Sequence, residues 1–323
     1  ESTLKEKPAQ KETPAQRGYR HLLETPYIPA HFDQETFDGL WMAWPEAQRK
    51  AAEAATPEKR RAMLFRYYGL TTRPGDDSGK PLQFVVSDEG QWAMNCFTCH
   101  GGHLAGEVIP GLPNTHIALQ TLFDDVLKTK QRLKKKLTPY DLGSRVIPMG
   151  HSNGTTNAVT FGVALLKLRN TDLKVVRGPS ALLKEKHHDM DAPPWWTTYR
   201  RPHLYIDGFA VKNARAIMQF MLVPQNGRDV LERSEADYED ILAYIESLRA
   251  PKWPGEIDEG LARKGAGVFK AKCAGCHGTY GEKPMYPNRI VSIDQVGTDR
   301  VRLDAITDEQ RRTYANSWLT KYD

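Results

Sequence analysis

Cysteine is scarce in this sequence, which has four cysteines in 323 residues. All four fall in two short segments, so none is left to form a disulfide elsewhere. Long apolar runs are also lacking: mean hydropathy is −0.58, and no stretch approaches the roughly 20 apolar residues that cross a bilayer. We therefore expect no transmembrane segment in this chain, although 40% hydrophobic residues are enough to form buried cores.

Common enzyme signatures do not mark this chain. We find no Walker A loop and no His-Glu-x-x-His zinc-protease motif, and we do not interpret residues 150–154 as a nucleophile elbow. Nucleotide hydrolysis and zinc proteolysis are therefore not indicated.

The two cysteine segments carry the strongest signal. Residues 96–100 read Cys-Phe-Thr-Cys-His, and residues 273–277 read Cys-Ala-Gly-Cys-His. This spacing is the attachment signature of c-type haem, in which two thiols bond the porphyrin and the adjacent histidine ligates the iron. The sequence predicts two covalent haems, held by Cys96, Cys99 and His100 and by Cys273, Cys276 and His277.

Two other cysteine chemistries remain as alternatives. Two Cys-x-x-Cys pairs form a zinc site when they meet, and one such pair serves as the redox centre of thioredoxin-like proteins. A zinc site would not require a histidine directly after each pair. A thioredoxin-like centre needs a βαβ context, which the sequence does not show.

Covalent haem attachment predicts a location outside the cytoplasmic membrane, so we expect a periplasmic protein. The chain begins with polar, charged residues and without an apolar signal region, so an export signal must have been removed or left out. Residues 1–20, rich in Lys, Glu, Pro and Gln at their start, are predicted to be a disordered tether, downstream of a lipid anchor or a cleavage site.

The net charge of +5 suggests attraction to an acidic redox donor or acceptor protein. The densest basic run lies at 128–136. We interpret it first as a solvated helix face and second as a docking patch for that partner. No aromatic interleaving accompanies the run, so no nucleic acid is expected as a partner.

Helical periodicity divides the chain into two haem units. Apolar residues recur at helical spacing over 257–272, with Asp258 as the predicted N-cap, and over 234–248, with Ser234 and Asp237 as a capping pair. We expect a mainly α fold of two cytochrome c-type domains with long loops. The first, enlarged domain covers 21–250. The second covers 255–323, and we expect it to be incomplete at its C-terminal end.

Several further segments resemble the bacterial di-haem cytochrome c peroxidase superfamily. The resemblance is greatest to the branch that includes the rubber oxygenase and many uncharacterised di-haem cytochromes. The segments are 101–114, 150–162, 191–196, 205–209, 213–215, 286–290 and 296–299. The resemblance implies two covalent haems on a mainly helical scaffold. Members usually continue past the second haem with a Gly/Pro-rich stretch that completes its pocket, which this chain lacks before Asp323.

The ligand on the far side of each haem decides the chemistry, because a six-coordinate haem passes electrons and an open haem reacts with peroxide or oxygen. His116 follows the first motif after a Gly/Pro loop, where the resemblance implies a ligand, and Met149 supplies a thioether. Both also have ordinary interpretations, as a surface histidine and a gap-filling methionine. Arg200, Arg215 and Arg289 are candidate partners for haem propionates.

These observations favour a periplasmic di-haem cytochrome that transfers electrons. One alternative is a peroxidase- or oxygenase-like oxidoreductase with one reactive haem. Another is a haem subunit of a larger redox complex. Whether the protein is an enzyme is left open by the sequence.

Overall fold

The fold consists mainly of α-helices, as expected. The computed structural model describes residues 11–147, 149–182 and 188–321, and about 49% of the protein is helical. The helices are α1 Pro14–Glu24, α2 Gln34–Gly39, α3 Glu46–Glu53, α4 Pro57–Tyr68, α5 Phe97–His100, α6 Leu119–Arg132, α7 Pro139–Val146, α8 Ala158–Lys167, α9 Ala214–Ile217, α10 Arg228–Ser247, α11 Glu259–Lys272, α12 Ala274–His277, α13 Ile293–Val296, α14 Val301–Asp304 and α15 Asp308–Ala315. Short 3-10 helices cover Leu40–Ala43, Pro179–Leu182, Trp195–Arg200, Met218–Met221 and Trp318–Thr320.

The strands are short and all paired antiparallel. They are β1 Phe32–Asp33, β2 Phe84–Val86, β3 Gln91–Met94, β4 Gly101–Leu104, β5 Glu107–Pro110, β6 Thr155–Thr156, β7 Met190–Asp191, β8 His203–Leu204 and β9 Ala210–Val211. The first three form one sheet in the order β1-β3-β2, and the others pair in sequence as β4-β5, β6-β7 and β8-β9. Strand β3 ends two residues before the first cysteine motif, so the sheet fixes where that motif begins.

Two buried clusters form the main core. The chain passes from one cluster to the other as it enters the first motif. One cluster gathers the apolar faces of α1, α8 and α10 with Phe97. The other packs the β1-β3-β2 sheet against α2, α4 and α6, with Trp92 of β3 fully buried. The segment from Trp92 to Phe97 therefore crosses from one cluster to the other.

The first helix corrects the predicted tether. Thr13 caps α1 in a reciprocal box with Gln16, and Pro14 occupies its first turn, where a missing N–H costs nothing. Leu22 is buried against the core, and Arg17 bonds Asp240 of α10 through two contacts of 2.6 Å. Residues 13–20 therefore belong to the folded body rather than to a disordered tether, and residues 1–10 lie outside the described range.

The end of the chain differs from the predicted second domain. Tyr314, Trp318 and Leu319 are buried in the same cluster as α1 and α10, and Ile306 packs with Val163 of α8. The predicted domain at 255–323 is therefore wrong as a separate unit over its last part. The chain leaves the body after α10 and returns to it near α14, so the second motif lies on the excursion between them.

The basic run at 128–136 is only partly a solvated helix face. Lys130 is buried and donates to both carboxylate oxygens of Asp141, and Lys135 pairs with Asp33 at 2.5 Å. Lys128 pairs with Asp125, and Arg132 donates to a backbone carbonyl. Much of the positive charge of this run is thus bonded within the fold, which weakens the interpretation of the run as a docking patch.

Arg169 connects a loop to the core through backbone carbonyls. Its guanidinium donates to the backbone carbonyls of Leu173, Leu222, Val223 and Asn226, and the side chain is buried. One guanidinium thus bonds four backbone carbonyls, of which that of Val223 also accepts from the N–H of Asn226.

Among the described residues, no helix combines the length and the apolar character needed to cross a membrane.

Candidate functional site

The first cysteine motif is held by backbone contacts on both sides. Asn95 precedes the turn and accepts from the N–H of Phe97, and its amide donates to the carbonyls of Leu22 and Leu82. Thr98 donates to the carbonyl of buried Gln83. Cys96 and Cys99 lie at the two ends of one helical turn as a result, which is the spacing that both thiols of one attachment site require.

One of the two ring nitrogens of His100, Nδ1, is engaged in a hydrogen bond. Its Nδ1 lies 3.0 Å from the carbonyl oxygen of Pro193, and a carbonyl can only accept, so Nδ1 carries the proton. The Trp195 ring stacks on the imidazole at 4.6 Å between centroids. Burial lowers the pKa of His100 to about 4, so the ring is neutral at pH 7 and Nε2 keeps its lone pair for a metal.

The loop that holds His100 closes through Gly111. The N–H of Gly111 donates to the His100 carbonyl at 2.7 Å, and its own carbonyl accepts from Trp195 at 3.0 Å. Gly111 has φ +91°, and a Cβ there would lie 2.7 Å from a methyl group of Leu248 and 3.4 Å from the Trp195 side chain. Only glycine meets both requirements, so the hairpin β4-β5 and Trp195 are fixed around the histidine.

The thiols of the first motif are in an environment that favours their protonated form. Burial raises the pKa of Cys96 to about 12, and neighbouring Cys99 adds to this effect. Burial also raises the pKa of Cys99 to about 11, although a hydrogen bond with Thr156 opposes it. Redox-active Cys-x-x-Cys pairs need a lowered thiol pKa, so the thioredoxin-like alternative is not supported.

The second motif is exposed. Helix α11 leads into it, with Asp258 as N-cap accepting from the N–H of Leu261, as predicted. Cys276 is exposed, Cys273 is partly buried, and α12 carries His277 at its end. The two motifs therefore lie in different surroundings, one within the core and one on the excursion.

The stretch of chain that contains the second motif exposes several large apolar side chains. Those more than half exposed within 253–296 are Trp253, Ile257, Leu261, Val268, Tyr280, Met285, Ile290 and Val296. A soluble protein rarely leaves so many large apolar residues open in one stretch. This surface is what an apolar cofactor or another polypeptide would bury.

The two candidate distal ligands, His116 and Met149, contact different residues from those that His100 contacts. The ring of His116 is exposed and stacks on His103 at 4.6 Å, with Thr115 hydrogen-bonded to its Nδ1. Met149 is partly buried against the cluster of β3 and α6, and its N–H donates to Gln120. The ring and hydrogen-bond contacts of His100 are with Trp195 and Pro193 instead.

The three candidate propionate partners also lie apart. Arg215 is engaged by both carboxylate oxygens of Glu235 and by carbonyls near the C-terminal end. Arg200 donates to the Tyr199 hydroxyl at 2.7 Å, and Arg289 is exposed on the excursion. Arg200 and the excursion are connected, because the backbone carbonyl of Arg200 accepts from the Asn288 amide at 3.1 Å.

The segment 150–154 fits the letters Gly-x-Ser-x-Gly, but its structure is not that of a nucleophile elbow. Ser152 is exposed on a turn that precedes strand β6, whereas an elbow serine follows a strand and begins a helix. Asp189 accepts from the N–H of His151 and from the Thr155 hydroxyl, which fixes this turn against β7. The serine is therefore part of a structural turn.

Sequence reasoning missed Pro193 and the side-chain contacts of Asn95. Pro193 lies 93 residues from His100, and no spacing rule connects them. Asn95, by contrast, directly precedes the motif, and an Asn side chain often accepts from the backbone N–H two residues further on.

Among the described residues, no group of three or more His, Cys, Asp or Glu side chains is arranged to hold a metal ion by itself. The four cysteines are free, and each pair stays with its own helix rather than meeting the other. A zinc site built from both pairs is therefore not assembled in this structure. No protein-family model matches the chain, and no curated protein matches it.

Proposed function

We propose that this protein is a periplasmic di-haem cytochrome of the di-haem cytochrome c peroxidase superfamily that transfers electrons. The observation that carries the proposal is the pair of Cys-x-x-Cys-His motifs, together with the Nδ1 hydrogen bond of His100. Iron-ligating histidines typically donate their second ring N–H to a carbonyl or carboxylate, which fixes the ring and its tautomer.

At the first site, Cys96 and Cys99 would form the thioether bonds and His100 would ligate iron through Nε2. Pro193 holds the ring orientation, and Trp195 covers one face of the imidazole. The haem supplies one-electron chemistry at iron when bound. The residues of the chain supply the hydrogen-bonded turn and the neutral, oriented histidine.

At the second site, Cys273, Cys276 and His277 would hold the other haem. The residues present fit an apolar cofactor, because large apolar side chains lie exposed around the motif. Arg289 lies on the same excursion, and Arg200 is connected to it through Asn288. We assign both arginines to propionate contacts, whereas Arg215 has a carboxylate partner in Glu235 already.

The structure offers a continuous connection between the two sites. The 3-10 helix Trp195–Arg200 begins at the residue that stacks on His100 and ends at the residue bonded to Asn288. Asn288 lies 11 residues after His277. This helix connects a residue that contacts His100 to the segment that follows His277, and we assign electron exchange between the two sites to this connection.

Haem content tests the proposal directly. The purified, exported protein should contain two covalent haems, measured by the alkaline pyridine spectrum and by intact mass. Cys99→Ala and Cys276→Ala should each reduce thioether attachment at one site only, and His103→Ala, outside both motifs, should leave both haems. A wild-type protein exported alongside a functioning haem-attachment system, yet free of covalent haem, would refute the proposal.

Spectra of the oxidised and half-reduced protein, with and without peroxide, separate the electron carrier from the enzyme. Two low-spin haems that ignore peroxide fit the carrier. A high-spin haem that reacts with peroxide would favour the peroxidase-like alternative instead. His116→Ala and Met149→Ala, each compared with the wild type, show whether either candidate ligates the first haem, because loss of a ligand changes its spin state.

A further inference from the structure

A small cavity opens between α3, α6 and the 3-10 helix Leu40–Ala43. Its volume is about 170 Å³, and its lining residues are Met42, Ala43, Arg49, Lys128, Thr129 and Arg132. Half of these side chains are cationic and none is acidic. Sites for drug-sized ligands measure about 300–1,000 Å³, so this cavity fits a small ion rather than a larger organic molecule.

The cations of the cavity keep N–H donors to offer. Lys128 bonds Asp125 at 2.9 Å, and Arg132 donates to the Met42 carbonyl at 2.9 Å. Each of these head groups has more N–H donors than the bond that it makes here. Within the described part of the chain, the Arg49 guanidinium has no hydrogen-bond or ion-pair partner. The lining therefore carries an excess of positive charge with donors that an anion would accept from.

Thr129 adds a buried hydroxyl to the cavity wall. The residue is 1% exposed, and its Oγ1 has no hydrogen-bond partner among the residues that the structure describes. Burial of a hydroxyl without a hydrogen bond is destabilising, so such groups are uncommon in folded proteins. An acceptor bound in the cavity that Thr129 lines would satisfy this hydroxyl.

The end of α6 offers an explanation without a ligand, but it covers only part of the lining. Arg132 lies in the last turn of α6, where basic side chains complement the negative end of the helix dipole. The same dipole end opposes an anion with the equivalent of roughly half a charge. Neither Arg49, which comes from α3, nor the buried Thr129 hydroxyl is explained in this way, and the cations outweigh the dipole.

We propose that the cavity formed by Arg49, Lys128, Thr129 and Arg132 binds a phosphate group. The two guanidiniums bond phosphate oxygens, which arginine recognises through paired N–H donors, while Lys128 adds charge and Thr129 donates its hydroxyl. A free phosphate ion and the terminal phosphate of a lipid headgroup share this chemistry. The site contains no residue of either cysteine motif, and the proposal does not depend on the haem assignment.

Isothermal titration calorimetry of the full-length protein with inorganic phosphate, at constant ionic strength, measures the binding. We expect one saturable site with a dissociation constant of roughly 10 µM to 1 mM. Arg49→Gln should weaken binding about tenfold or more, because a charge-assisted hydrogen bond is lost. Lys50→Gln is the matched control: it removes the same charge at the next position of α3, where the side chain is 70% exposed and pairs with Glu46. It should bind phosphate as the wild type does.

Thr129→Val tests the hydroxyl, because valine keeps the shape of the side chain and removes its polar group. Without phosphate this variant should be at least as stable in urea as the wild type, since no hydrogen bond is lost. Its affinity for phosphate should fall about threefold to tenfold. Acetate, with one charge where phosphate has nearly two, should bind the wild type about tenfold or more weakly than phosphate does.

Vesicle flotation identifies the source of the phosphate group. Vesicles of phosphatidylcholine are compared with and without phosphatidic acid, whose headgroup is a phosphate monoester. Binding to phosphatidic acid that Arg49→Gln weakens assigns a lipid headgroup, and calorimetric binding without vesicle binding assigns the free ion; both results support the site. Absence of saturable phosphate binding, equal losses for Arg49→Gln and Lys50→Gln, or acetate binding as tight as that of phosphate would overturn the proposal.

Discussion

Replacing Gly18 with alanine tests the closest helix contact in the protein. In an exposed helix the change would stabilise by about 1 kcal/mol, because alanine is the better helix former. Here the added methyl group would overlap the Asp240 carbonyl, so α1 and α10 must separate. Overpacking of this kind costs about 1–3 kcal/mol, and more when backbone rather than a side chain must move.

Gly265→Ala provides the matched comparison. It makes the same substitution within helix α11, but the new methyl group meets nothing within 4 Å. We expect the free energy of unfolding to fall by about 1–3 kcal/mol for Gly18→Ala and to rise by up to about 1 kcal/mol for Gly265→Ala. The difference between the two variants should therefore be about 1–4 kcal/mol.

Urea unfolding followed by circular dichroism at 222 nm measures both effects, provided that the denaturant slopes agree between variants. The α1–α10 contact also predicts that Gly18→Ala loses part of the Arg17–Asp240 pair. Combining Gly18→Ala with Arg17→Ala should then cost less than the sum of the single changes. If Gly18→Ala and Gly265→Ala have the same free energy of unfolding, α1 and α10 do not cross as closely as the structure describes.

Three further predictions follow from buried polar groups. Burial lowers the pKa of His31 to about 4, with Lys130 adding to this effect, so the unfolded state binds the proton first as the pH falls below 6.5. Unfolding free energy should therefore decrease by roughly 3 kcal/mol between pH 6.5 and pH 4, and His31→Gln should flatten that slope. Arg169→Lys cannot reach all four carbonyls and should cost about 2–4 kcal/mol in urea unfolding; a cost below 0.5 kcal/mol would contradict the role given to it. Asp207→Asn leaves Arg302 without its carboxylate partner and should speed proteolysis near the C-terminal helices, while Asp304→Asn, at an exposed pair, should not.

The sequence predicted the helices whose apolar residues follow one clear stripe. Helix α11 begins within two residues of its expected start, and Asp258 caps it as expected. Helix α10 begins six residues before its predicted start, at Arg228, and Ser234 lies inside it, donating to the Val230 carbonyl instead of capping. Local pattern found both helices, but the cap of α10 depended on packing that the pattern does not contain.

Helix α1 was hidden by its composition. The charged residues before it suggested a solvated tail, although the Thr-Pro-Ala-Gln start at 13–16 is a capping box with proline in the first turn. Its ion pair with Asp240 joins residues 223 positions apart, which no local window can connect. The return of Trp318 and Leu319 to the core was missed for the same reason.

The candidate site shows the same difference between local sequence signals and contacts of distant residues. The Cys-x-x-Cys-His motifs are local and were found at once, and the residues that orient them are distant in sequence. His100 finds its acceptor at Pro193 and its ring partner at Trp195, and both arrive by way of a long intervening loop. Motif spacing specifies what attaches to a site, whereas the tertiary fold specifies how the site is oriented.

The first cysteine motif packs against the core and the second is exposed, so their thiols differ in accessibility once the protein has folded. On the haem assignment, a modifying enzyme must reach both thiols of a motif while the peptide around them is open. Cys96 and Cys99 are partly buried in the folded body, and Cys96 packs against the cluster of α1 and α10, whereas Cys276 stays exposed on the excursion. On that assignment we expect attachment at the first motif to be easier before the body closes, whereas the second motif remains accessible on the folded protein.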